Sequence, residues 1–263
     1  MLFTDFCLLF KIIIISAIEG ITEFLPISST AHILVVSKFV NFEITMDFLV
    51  GIQAGAILAV LFLYFRHIKT MFMECITLKF NIIPKLIIIT IPTCIFGLIV
   101  SQLNYLELFP KHTISTTLIL GGIVMLFFQQ NSGNIDALQN ITYKNSLIIA
   151  MFQTIAIIPG VSRSASVIVG GLVCNLTRTC AMEVSFFSGV PIILIATAYE
   201  LFKSYKSGIG FNQISTLSVG FICSFIFSCI GILILKRLTK LNIDFKFFGF
   251  YRIIIGSVLF FIM

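Results

Sequence analysis

Charge is what this chain has least of. Only 11% of its 263 residues are Asp, Glu, Lys or Arg, against 59% hydrophobic, 29 phenylalanines and a mean hydropathy of +1.12. A soluble domain has no interior large enough for that much apolar surface. The seven cysteines (Cys7, Cys75, Cys94, Cys174, Cys180, Cys223 and Cys229) form no C-x-x-C and have no histidine at zinc spacing, so they read as packing residues. No basic stretch precedes the first apolar run, and Glu19 and Glu23 interrupt it; a cleaved signal peptide is not expected. The net charge of +6 is carried beside apolar runs. That pattern fits a lipid bilayer as partner and gives no reason to expect nucleic acid.

What is present is a set of nearly uncharged windows long enough to cross a hydrocarbon core of roughly 30 Å. They predict an all-α polytopic membrane protein, a single integral membrane domain over 1–263. Full spans are expected near 46–65, 84–101, 113–128, 183–202, 215–235 and 248–263. Two further apolar regions, about 8–40 and 146–175, are interrupted by Pro26 and by Pro159-Gly160, each followed by a serine-rich turn. They read as broken or re-entrant helical hairpins, which membrane depth tolerates only inside protein or beside a wet cavity. The connector with Arg66, Lys69, Lys79 and Lys85 and the one with Lys236, Arg237, Lys240 and Lys246 are the most basic, so both are expected on the cytoplasmic side. The connectors with Glu107, Lys111 and His112 and with Lys203 and Lys206 would then face outward, and the two halves would be inverted.

Sliding I-E-G-I-T-E-F-L-P-I-S-S-T-A, from Ile18, against F-Q-T-I-A-I-I-P-G-V-S-R-S-A, from Phe152, pairs Glu19 with Gln153 at an offset of 134 residues. The same offset pairs Ile21 with Ile155, Ser28 with Ser162, Thr30 with Ser164 and Ala31 with Ala165. Pseudo-repeats of about 1–128 and 146–263 follow. Inverted repeats whose broken helices meet at the midplane can build an intramembrane site for an anion.

The first turn has the chemistry of a cation and phosphate site. Glu19 and Glu23, one helical turn apart, share a face and could bracket a divalent cation; alternatively, one of them caps the break. Ser28, Ser29 and Thr30 can direct hydroxyls and backbone N–H groups at an anion, although serines near breaks also satisfy freed backbone groups. His32 is a candidate general acid or base. The second turn, P-G-V-S-R-S, supplies the missing cation. Arg163 in an apolar region needs an anionic partner, and its fork matches phosphate oxygens. The alternative is a structural ion pair with Glu19 or Glu23. Gly160 permits close backbone approach, and Ser162 and Ser164 flank the arginine as donors.

The motifs E-G-x-T-E-F-L-P-x-S-S-T-x-H and P-G-x-S-R-S, with F-L-V-G-I-Q-A-G-A-I-L-A-V-L-F-L-Y between them, resemble the undecaprenyl-diphosphate phosphatase family of bacterial membranes. The resemblance spans essentially the whole chain. It implies removal of the terminal phosphate of a polyprenyl diphosphate lipid, recycling of the carrier for cell-wall synthesis, bacitracin resistance, and a Mg²⁺ or Ca²⁺ cofactor. It also implies a multi-pass protein of the bacterial inner membrane with its site facing outside. The family residues carried over are Glu19, Glu23, Ser29, Thr30, His32, Ser162 and Arg163. Departures cluster in the second motif, where Ala165 and Val167 replace a glycine and a threonine; Ala31 likewise replaces a glycine.

The expected mechanism is metal-assisted phosphoryl transfer to water, directly or through an enzyme intermediate. Glu19 and Glu23 would hold the cation, Arg163 would clamp the phosphates, and His32 would act as base or protonate the leaving group. Whether Ser29 is a nucleophile stays open, as does a homodimer. A lipid-phosphate transporter or flippase using the same residues is the alternative. An acid-phosphatase type of lipid phosphatase is excluded, because no histidine follows Ser162-Arg163.

Overall fold

The computed structural model describes residues 2–77, 81–102, 109, 110, 112–128, 133–207, 211–241 and 243–262. Lys79, Glu107 and Lys111, used in the charge reading, lie outside the described residues, as do the side chains of Cys75, Lys203 and Lys206. The chain is helical along its described length: α1 (Leu2–Thr22), α2 (Ser29–Phe39), α3 (Met46–Leu63), α4 (Phe65–Ile76), α5 (Ile83–Gln102), α6 (Thr113–Phe127), α7 (Tyr143–Ile155), α8 (Arg163–Val173), α9 (Arg178–Ser207), α10 (Phe211–Lys240) and α11 (Lys246–Ile262). Helices α3, α5, α9 and α10 are long and apolar enough to cross a membrane. Their outward faces carry large apolar side chains such as Phe62, Ile95, Leu194 and Ile226, a surface that only lipid can solvate. This is a multi-pass membrane protein.

The expected spans near 46–65, 84–101, 183–202 and 215–235 coincide with these four helices, while those near 113–128 and 248–263 fall on α6 and α11, of 15 and 17 residues, which are shorter than a full span. Both expected breaks are also present, α1 turning back into α2 and α7 into α8. Helices α7 and α8, of 13 and 11 residues, reach only about 16–20 Å at 1.5 Å per residue, roughly half a membrane. The first limb is longer, because no proline or glycine-rich turn precedes Pro26 and α1 runs for 21 residues. The stretch expected as a connector after the 46–65 span contains a helix, α4. Its inward positions Ile68 and Met71 continue the helical spacing of Tyr64, the residue just before it, while Arg66, Lys69 and Phe72 stay exposed, the pattern of a helix lying on a surface.

Element bounds recur at the offset of 134: moving α2 by that number gives the bounds of α8, and moving α6 overlaps α11. Packing follows the same exchange. Helix α1 packs on α10 as α7 does on α5, α3 packs on α10 as α9 does on α5, and α6 pairs with α11. Between the halves, Ile135 bridges to Leu176, and Lys85 Nζ donates to Gln139 O at 2.7 Å.

The crossing of α1 and α10 sets the position of the first turn. A Cβ on Gly20 would lie 2.6 Å from Ser224 O and 2.8 Å from Ser228 N, and one on Gly231 would lie 2.8 Å from Ile21 O. The backbones touch because both positions lack a side chain, as helices do where lipid gives no hydrophobic push. Gly20→Val is expected to cost about 1–3 kcal/mol and to lower the melting midpoint of the detergent-solubilised protein. Gly97→Ala, where a Cβ would meet nothing within 4 Å, should leave the midpoint unchanged or raise it.

Candidate active site

Two helix starts are brought face to face. Helix α1 stops at Thr22, where Pro26, four residues on, removes a donor and disfavours helix before it. Re-entry into α2 passes through Ser28, with φ 72°; re-entry into α8 passes through Ser162, with φ 71°. Positive φ is uncommon outside glycine and is kept where surrounding structure imposes it. The Ser162 Oγ accepts from Ala165 N at 3.3 Å as a helix cap, whereas Ser28 makes no such bond. The second turn is fixed against α6: Thr117 Oγ1 donates to Pro159 O at 2.6 Å, and Gly160, at φ 86°, leaves no room for a Cβ beside Ile114 and Thr117.

Glu23 joins the two starts. Its Oε2 accepts from Ser29 Oγ at 2.7 Å, and its Oε1 takes Arg163 Nη2 at 2.9 Å. Ser29 and Arg163 are the first residues of α2 and α8, so one carboxylate holds corresponding residues of both halves. The other arm of Arg163, Nη1, donates to Ser185 O on α9 at 2.8 Å. Gly189 lets the guanidinium lie against α9, since any Cβ there would overlap it. Both partners of the ion pair keep about a tenth of their side-chain surface open, enough for a ligand to reach them.

Above this pair lies a cavity of about 610 Å³. Its polar side is built by Glu23, Ser28, Ser29, Thr30, Ser162 and Arg163, together with Gly160. Its walls are apolar, with Ile33, Leu49, Ile114, Ile158 and Ile193 among them. Seven of the ten residues singled out from the sequence therefore border one space. Gln53 of α3 does so too; a lone amide in F-L-V-G-I-Q-A-G was its only signal.

The remaining three sit elsewhere. Glu19 is fully buried, and among the described residues neither carboxylate oxygen has a hydrogen-bond partner. Ser164 is buried and donates from Oγ to Phe24 O at 2.8 Å, tying the two turns together without reaching the cavity. His32 lies behind the first turn and does not border the cavity. Its Nδ1 is 2.7 Å from Ser28 O, a pure acceptor, so Nδ1 is the donor; in the neutral ring Nε2 accepts from Tyr251 Oη at 2.7 Å. The two rings also stack, with centroids 5.6 Å apart.

The residue most clearly missed is Arg252. It is fully buried in α11 and, among the described residues, bonds only backbone carbonyls: Pro26 O at 3.4 Å, Thr117 O at 3.3 Å, Gly160 O at 3.1 Å and Val161 O at 3.0 Å. Its signal was a lone arginine in the final apolar run, which at membrane depth is a reason to expect function.

A divalent cation is compatible with this donor set. The orphaned Glu19 carboxylate lies one helical turn from Glu23, and oxygen donors suit Mg²⁺ or Ca²⁺. No group of three or more His, Cys, Asp or Glu able to hold a metal occurs among the described residues. A cation held by two protein carboxylates would complete its shell with water and substrate oxygens, as Mg²⁺ commonly does.

Comparison with known proteins agrees with these motifs. Undecaprenyl-diphosphatase of Methanococcus aeolicus is 39% identical over 257 residues, covering 95% of this chain and 96% of that protein. Undecaprenyl-diphosphatase of Sulfurimonas denitrificans is 41% identical over 256 residues, covering 94% and 96%. Undecaprenyl-diphosphatase of Enterococcus faecalis is 35% identical over 273 residues, covering 97% of each. Residues 12–258 match the profile of the family described as Bacitracin resistance protein BacA, and with a match of that length the chain belongs to that family.

Proposed function

We propose that this chain hydrolyses undecaprenyl diphosphate to undecaprenyl phosphate and inorganic phosphate, recycling the lipid carrier for cell-wall synthesis and conferring resistance to bacitracin. The observation that carries the reading is the joining of Arg163 and Ser29 by Glu23 at the mouths of two helix N-termini in one cavity. Helix starts carry partial positive charge and free N–H groups. A diphosphate there meets two helix ends, a guanidinium and four hydroxyls, while the isoleucine-rich walls suit the prenyl chain. Relatives 35–41% identical over nearly the whole chain carry the matching name.

Entry of a diphosphate offers Arg163 a second anion, and its fork then spans phosphate oxygens while Glu23 is released. The Ser29 hydroxyl already donates to Glu23, so the base beside the attacking oxygen is Glu23. That oxygen is Ser29's own or that of a water in its place. A new bond forms from it to the terminal phosphorus as the bridging P–O bond breaks, the proton passing to Glu23 and the electron pair leaving with undecaprenyl phosphate. Where the oxygen is Ser29's own, a water then attacks that phosphorus as the Ser29 O–P bond breaks, its hydroxyl leaving in inorganic phosphate and its proton returning to Ser29. Ser162, Ser28 and Thr30 stabilise the charge on the transferring group. His32, engaged on both nitrogens behind the turn, supports Ser28 and is not the base. A divalent cation held by Glu19 and Glu23 would supply further neutralisation of phosphoryl charge.

The two halves are taken as inverted repeats in a bacterial inner membrane, with the basic ends of α4 and α10 cytoplasmic and the cavity opening outward. The match of element bounds and packing at one offset supports the repeat, and the basic connectors support the orientation.

Three outcomes are expected. Arg163→Lys should lose roughly 100-fold in phosphate release although charge is kept, since an ammonium cannot make paired contacts; near-parental turnover would remove Arg163 from the clamp. Glu19→Gln should raise the Mg²⁺ concentration needed for half-maximal rate, and an unchanged metal dependence in both Glu19→Gln and Glu23→Gln would place the cation elsewhere. Thr30, exposed at the cavity rim, should as Thr30→Cys in a cysteine-free background react with an impermeant thiol reagent added outside intact cells. Labelling only in inverted vesicles would reverse the orientation.

A further inference from the structure

Arg252 has the environment of a residue with a task. Its guanidinium is fully buried, its Nε has no partner, and among the described residues no carboxylate pairs with it. An arginine at membrane depth costs at least about 3 kcal/mol, and carbonyl oxygens offset this only in part. Room is made for it on purpose: a Cβ on Gly121 would overlap Nη2 and come within 3.0 Å of the guanidinium carbon.

The carbonyls it gathers come from both broken hairpins. Pro26 belongs to the first turn, Gly160 and Val161 to the second, and Thr117 to the helix that fixes the second. Every described peptide is trans. In a trans peptide the C=O and the following N–H point in opposite directions. With Val161 O turned to Arg252, the N–H of Ser162 points the other way, away from the buried guanidinium and toward the cavity that Ser162 borders. The preceding residue of α11, Tyr251, reaches the first turn through His32, whose Nδ1 holds Ser28 O. Helix α11 thus grips both turns from behind, at or beside the residues whose φ is positive.

We propose that Arg252 is a positioning residue for diphosphate binding: by holding the Gly160 and Val161 carbonyls it keeps the start of α8, with the Ser162 N–H, turned into the cavity and in register with the start of α2. Arg252 touches no substrate in this scheme. The inference rests on the reading of the cavity as the diphosphate site.

The test uses the full-length protein in detergent, with farnesyl diphosphate as substrate and methylenediphosphonate, which cannot be cleaved, as a competitive probe. Two variants are compared with the parent: Arg252→Lys, which keeps the charge but cannot hold several carbonyls at once, and Gly121→Ala, which keeps Arg252 but displaces the flexible end of its side chain. A merely structural role lowers the fraction of active protein, so apparent kcat falls while KM and the inhibition constant of the probe stay put. The positioning role predicts that KM and the inhibition constant both rise at least fivefold in Gly121→Ala, and in Arg252→Lys when that protein is folded. Parental KM and inhibition constant in Gly121→Ala would overturn the proposal, whether or not Arg252→Lys folds. Absence of phosphate release, or of inhibition by the probe, in the parent would instead overturn the reading of the cavity.

Discussion

The carboxylate of Glu23 is the point on which the two halves of this protein meet. An arginine among apolar helices is costly until an anion compensates it, and so is a glutamate. Placing Ser29 on one oxygen and Arg163 on the other satisfies both and fixes the distance between two helix starts that lie 134 residues apart in sequence. The pair is only partly covered. A buried ion pair of this kind contributes little net stability; its value is that the arginine is held ready for a stronger anion without being lost to solvent.

Behind that pair lies a second layer that no ligand touches. Arg252 draws in carbonyls from both turns, Tyr251 steadies His32, and Ser164 ties its own turn to Phe24 O. Such support matters because the turns are made of freed backbone groups. Holding Val161 O on the buried side leaves the Ser162 N–H for the cavity, while the N–H groups after Pro26 and Gly160 close back onto Leu25 O and Ile158 O, so the layer satisfies the freed backbone of broken helices, a liability in a membrane, and spares a donor for an anion. The helix contacts around the site are correspondingly close, with Gly20 and Gly231 at the crossing of α1 and α10 and Gly189 beside Arg163.

The chemistry divides along the same line. Cavity-facing groups are hydroxyls, one guanidinium and one carboxylate, which suits a reaction whose transition state asks mainly for positioning and charge neutralisation. Glu19 stands apart, buried and without a hydrogen-bond partner. In the first half it occupies the place that Gln153 takes in the second, where the amide is fully engaged with Ile89 O and Ser188 Oγ. The asymmetry between a satisfied amide and an orphaned carboxylate leaves a cation compatible with the first half and gives it no place in the second.

The sequence by itself determined the class, the helices and most of the site. Scarcity of charge dictates a membrane protein, long apolar runs dictate spans, and Pro26 and Pro159-Gly160 dictate breaks, because these signals are local and act through backbone hydrogen bonding and transfer from water. Local too is the cost of Glu19, Glu23 and Arg163 in apolar surroundings, which marks them in the sequence alone. Only the tertiary structure decided which way each side chain faces. His32 and Ser164 belong to motifs that border the cavity yet point away from it, and Tyr251, Arg252 and Gly189 enter from helices with no motif at all. Direction depends on how helices rotate and cross, and that is fixed by contacts between residues far apart in sequence, such as Gly20 with Ser224 and Arg252 with Gly160.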